Sequence, residues 1–150
     1  MTSASLHRCL TFTVLLAAAT TASAADWVGP APTIPARQSL DALLRANPLG
    51  RDQSLRAIPV QRSAHTAQVL VQVRDREPVH YHADSDITVF MIRGHGVIHI
   101  ADKSFPVKEG DVMFIPRKVV HYFVNRAEQP AAALVIYSPP PGPKDRVVVH

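Results

Sequence analysis

The chain has 150 residues, of which 16 are Lys or Arg and 12 Asp or Glu, for a net charge of +4 with histidine neutral. The basic residues are scattered, with no stripe interleaved with aromatics, which excludes a nucleic-acid surface. A single cysteine excludes a disulfide framework, so stability must come from a packed core, which a chain of this length can build.

At the N-terminus, His7 and Arg8 form a short basic stretch, and Cys9 to Ala19 make an apolar run short for a bilayer span. Ala22-Ser23-Ala24 then supplies the small-x-small pattern of a signal-peptidase site. Together these predict a cleavable signal peptide over residues 1–24 and export to the periplasm or the exterior; an apolar helix or a retained anchor is the alternative. Cys9 is not a lipoprotein cysteine, because it precedes the apolar run and follows Arg8. Cleavage after Ala24 removes Arg8, taking the charge from +4 to +3, and leaves a chain without cysteine. Thiolate catalysis and cysteine-ligated metal are thereby excluded. No second apolar run is long enough to cross a membrane.

Residues 25–63 divide into a Pro-rich arm and a short helix. Ser39 is placed to cap a helix that carries Leu40, Leu43 and Leu44 on one face, and Asn47-Pro48-Leu49-Gly50 stops it. Such a helix covers an open end of a barrel or packs on a neighbouring subunit. From Ala67 the period changes to two, beginning with Val69, Val71 and Val73. Further β runs are predicted over 79–83, 87–93, 97–101, 112–115, 121–125 and 131–137, joined by turns containing Gly, Pro, Asn or Asp. Strands at this spacing with no helix between them predict an all-β antiparallel sandwich or barrel over residues 64–140. Residues 141–150 form a Pro-rich tail that resumes strand character only at Arg146.

Within that β region, His80-Tyr81-His82 places two imidazoles on one face of a strand, because residues i and i+2 project the same way. His121 follows Gly110-Asp111-Val112-Met113-Phe114-Ile115-Pro116 and precedes Asn125. A third imidazole from another strand completes three nitrogen ligands and leaves coordination positions open to water or substrate. These segments resemble the two motifs of the cupin family, G-x5-HxH-x3-4-E-x6-G and G-x5-PxG-x2-H-x3-N. Gly110, Pro116, His121 and Asn125 all fall at the second motif's intervals, with Lys118 in place of its glycine. In the first, His80, His82 and Gly94 match, but the usual glutamate falls on Ile87. Asp86 sits at the shorter permitted spacing and is a candidate fourth ligand, although its parity points it away from Ile87.

The resemblance implies a double-stranded β-helix, or jelly roll, and a homodimer paired through barrel faces or the arm at residues 26–63. It also implies a divalent transition metal (Fe, Mn, Zn, Ni or Cu) acting on a small-molecule ligand or substrate. Oxygen-dependent oxidation, lyase or isomerase chemistry, and binding without turnover all occur on this scaffold. Among the other residues, Val89, Met91, Phe114 and Phe123 are expected in the pocket wall and core. His99 is expected on the outer face, His95 in a solvated turn, and Asn125 as the residue that holds the last loop. Tyr81 and Tyr122 alternate away from the ligands, so the sequence offers no general base beside them. His65 and His150 receive no role.

Overall fold

The computed structural model describes residues 39–149; the expected signal peptide, the arm up to residue 38 and His150 lie outside the described residues. Ser39 caps α1 (Leu40–Ala46), its side-chain oxygen accepting the Ala42 N–H, and Asn47 ends the helix on the Leu43 carbonyl. Asp41 in the first turn and Arg45 in the last suit the helix dipole.

The strands are β1 (Leu55–Arg62), β2 (Ala67–Val73), β3 (His80–His82), β4 (Asp86–Arg93), β5 (His95–Ile100), β6 (Lys103–Lys108), β7 (Val112–Ile115), β8 (His121–Asn125), β9 (Ala131–Ser138) and β10 (Arg146–Val148). They form two five-stranded sheets in the orders β1-β2-β9-β4-β7 and β10-β3-β8-β5-β6. Every pairing is antiparallel. Long connections place β9 between β2 and β4, and β8 between β3 and β5. This is the jelly roll expected from the sequence.

The core lies between the sheets and follows the period of two. Val69, Val71, Val73, Ile87, Val89, Met91 and Val135 from one sheet meet Ile98, Val107 and Phe123 from the other. The opposite face of β2 is buried as well, because α1 lies over it. Leu44 packs with Ile58, Leu70 and Ala132, and Gln72 donates to the Asn47 carbonyl at 2.8 Å. The helix therefore covers the outer face of its own chain's sheet rather than an open end of the barrel.

Two strands exceed the sequence reading, β1 in the stretch expected as part of the arm and β6 in one expected to be a connection; β10 begins at Arg146, where strand character was expected to resume. All three are edge strands. Pro59 in β1 and Pro106 in β6 remove ladder donors, which edges tolerate, and the β1–β2 register shifts just after Pro59. Phe114 is also corrected. It is 62% exposed, because Met113 and Ile115 take the inward positions of β7. His95 is exposed as expected, although it opens β5 rather than lying in a turn, and buried Asn125 holds the following loop by donating to the carbonyls of Arg74, Ala127 and Gln129. At Lys118, where the motif has glycine, the backbone keeps φ at +65°, the left-handed region glycine ordinarily fills.

Candidate metal centre

The ligand positions are set by pairing. His80 and His82 flank Tyr81 on β3, and His121 at the start of β8 sits directly opposite His80. All three are buried, at 3–4% exposure, and one ring nitrogen of each lies within 4.8 Å of the others. The ring centroids are 4.4 Å apart for His80 and His121, and 5.3 and 5.5 Å from His82 to the other two.

The second nitrogen of each ring is already engaged. His80 Nδ1 lies 2.8 Å from the Pro78 carbonyl and His121 Nδ1 2.9 Å from the Val119 carbonyl. A carbonyl only accepts, so in both rings Nδ1 carries the hydrogen and Nε2 keeps its lone pair. His82 Nδ1 lies 2.7 Å from Asp145 Oδ2, which fixes the same tautomer. Burial, with the charges of Arg146 and His121, pulls His80 down to about 2. Burial likewise holds His121 down at about 4, against the hydrogen bond to Val119. Two of the rings are therefore neutral at ordinary pH. Three ring nitrogens within 4.8 Å of one another are the donor set of a first-row divalent ion, which such rings would hold at about 2.0–2.1 Å.

Asp86 does not join them. It starts β4 on the face opposite Ile87, and its carboxylate binds Arg117 instead. Oδ1 accepts from the Arg117 backbone N–H and Nε, and Oδ2 from Nη2 at 2.8 Å. These bonds hold Asp86 at about 2, well below its ordinary range. The reason is the strand parity weighed in the sequence: no bulge turns Asp86 inward.

Asp145 is the residue that sequence reasoning missed. It is 1% exposed, and its Oδ1 accepts the backbone N–H groups of Asp84 and Ser85 at 2.8 and 2.9 Å. Burial raises its pKa, but the bonds from His82 and these amides outweigh that and leave it lowered. An acidic residue immediately before a late β run was the only signal in the sequence.

The imidazoles open on a cavity of about 70 Å³ between the sheets. Its wall is mostly apolar, with Val89, Met91 and Phe123 where the sequence placed them. Three polar groups join it that the sequence did not single out: Glu77, Tyr137 and Arg146. Glu77 Oε2 accepts the Phe123 N–H at 3.1 Å, and burial raises its pKa against the opposing charge of Arg146. Burial and then the Glu77 charge push the Tyr137 phenol up, so it remains a donor. On the outer face, His99 stacks on Tyr122 at 4.3 Å and bonds Ser104, as its parity predicted.

The cupin-domain family model matches residues 67–137. An uncharacterised protein of Aquifex aeolicus (strain VF5) is 33% identical over 101 residues, which cover 67% of this chain and 83% of that protein. The crystal structure of TT1209 from Thermus thermophilus superposes with a TM-score of 0.61 at 26% identity, over 70% of this chain and 98% of that one. Pac13, a Streptomyces nucleoside dehydratase, superposes at 0.52 over 63% of this chain and 85% of its own, at 16% identity, a likeness of fold alone. With both histidine segments at their motif positions in a jelly roll, the chain belongs to the cupin superfamily.

Proposed function

We propose that this protein is an exported, mononuclear metal-dependent cupin that oxidises a small organic substrate with dioxygen as the oxidant. One observation carries the reading: three buried imidazoles with fixed tautomers, each with a free nitrogen, at a cavity walled by apolar side chains. A divalent ion held there would supply a Lewis acid and, as iron, manganese or copper, a redox centre. The chain's own groups do the rest. The apolar wall excludes water, the imidazoles add no negative charge to the site, and Tyr137 offers a proton donor beside His82, with ring centroids 5.1 Å apart.

Glu77 supports a second reading. A carboxyl with a raised pKa, one oxygen fixed on Phe123 and the other unbonded, suits proton transfer, as in a lyase or isomerase. The lack of a carboxylate ligand, with Asp86 held by Arg117, favours a third: metal or small-ligand binding without turnover.

Elemental analysis of untagged protein, beside His82→Ala and His121→Ala, tests the centre. Near-stoichiometric metal lost in both variants supports it; metal-free protein with unchanged variants sinks it. Oxygen uptake by the loaded protein over a panel of small acids and diols tests the chemistry. Turnover that persists without oxygen moves the assignment to proton transfer, and binding without turnover to the third reading. Export is tested by intact mass of the native protein, expected to begin at Ala25. A homodimer is part of the same proposal; the exposed Phe90, Val112 and Phe114 on the outer face of β4 and β7 support it, and light scattering tests it.

A further inference from the structure

Among the described residues two buried side-chain atoms have no hydrogen-bond partner, Ser85 Oγ and Arg146 Nη2, and only Arg146 lines the cavity. It begins β10, opposite His82 in the β3–β10 register, and its side chain lines the cavity with the three imidazoles. Its Nη2 is buried and has no hydrogen-bond partner. The nearby carboxylates do not supply one. Asp145 is committed to His82 and two backbone amides, and Glu77 bonds the Phe123 N–H. Among the described residues, Arg146 makes no ion pair with either. A buried guanidinium N–H without an acceptor is a standing cost to the fold, and one aimed into a cavity marks where an acceptor on a ligand belongs.

The surroundings define that acceptor. The guanidinium fork matches a planar carboxylate in two parallel bonds. Arg146 sits directly opposite His82 in the β3–β10 register and lines the same cavity as His80 and His121, which sets its side chain beside the imidazole cluster. Glu77 and Asp145 disfavour a dianion such as phosphate in the same space. Apart from Tyr137, the remaining wall is apolar, with Val71, Val89, Met91, Ile98, Ile115 and Phe123 among its residues, which suits a short hydrocarbon body. A cavity of about 70 Å³ limits that body to a small one.

We propose that Arg146 is the carboxylate-binding residue of this cavity, and that the site takes a small monocarboxylate with a short apolar body, its head on the guanidinium and its far end beside the imidazoles. This rests on the reading above that the cavity is the substrate site. It does not require a particular metal.

Propionate and propionamide, equal in size but differing in charge, are the probes. Binding to the full-length mature protein is measured by calorimetry, with metal content determined on the same samples, for the unaltered protein, Arg146→Gln and Arg146→Lys. Propionate is expected to bind at least tenfold more tightly than propionamide. Arg146→Gln should lose at least tenfold in propionate affinity with metal content unchanged, and Arg146→Lys should recover part of it. Equal affinities for the two probes, or unaltered propionate binding in folded Arg146→Gln, would overturn the proposal. Should Arg146→Gln fail to fold, the probe comparison on the unaltered protein decides alone. A charge preference in protein that carries no metal supports the carboxylate site while sinking the metal centre; metal without a charge preference does the reverse.

Discussion

Asp145 does for His82 what two backbone carbonyls do for His80 and His121, but it does so from 63 positions away in the chain. A carboxylate at Nδ1 can only accept, so the ring presents Nε2 unprotonated. Asp145→Asn places an amide N–H there, because the amide oxygen is needed by the Asp84 and Ser85 N–H groups. His82 Nδ1 must then accept, the ring proton moves to Nε2, and the ligand lone pair is lost. Metal affinity, measured by competition with a chelator, should fall about 10- to 100-fold while the fold survives. An unchanged affinity would show that the tautomer is not set by Asp145. The three imidazoles were legible in the sequence because spacing alone defines them. Asp145, Glu77 and Arg146 were not, because Asp145 reaches His82, and Glu77 and Arg146 the cavity, through tertiary pairing that no local pattern records.

Lys118 shows how a turn can depart from a motif in residue and keep its shape. The loop from Ile115 to His121 is fixed by the Lys118 N–H on the His82 carbonyl and the Val119 N–H on the Pro116 carbonyl. With φ at +65° and the side chain exposed, lysine sits where its Cβ is strained. Lys118→Gly should therefore stabilise the protein by about 0.5–1 kcal/mol in urea unfolding, the strain relief exceeding the added freedom of the unfolded chain. A loss of stability would mean that the lysine side chain contributes more than its backbone costs. Among the elements, the inner strands were legible because they alternate cleanly. β1 and β6 were not, since these edge strands carry proline and charge and bury little, so local signal and final pairing disagree. The helix was visible from its cap and its leucines, but its seat on β2 depends on the position of β1, which the sequence did not reveal.

For the molecule as a whole, the neutral histidines tie stability to pH. In the unfolded chain each histidine takes a proton near 6.5. In the metal-free fold His121 holds off until about 4 and His80 until about 2. Below pH 6.5 the unfolded state thus binds more protons. Stability is complete above that value and falls as the pH drops toward 4, by about 1.4 kcal/mol per pH unit for each group. Urea midpoints of metal-free protein at pH 7, 6 and 5 should decline along this course, and more shallowly in a His80→Asn, His121→Asn double variant. Equal slopes would remove these two rings as the cause. The order in which the chain is made adds a further consequence. His80, His82 and His121 are all synthesised before Asp145 and Arg146, yet β3 gains its outer neighbour only when β10 docks. Until Asp145 is in place, the chain holds three imidazoles of which the His82 ring is still free to take either tautomer. The donor set is therefore complete only when β3 has both of its neighbours, β8 and β10.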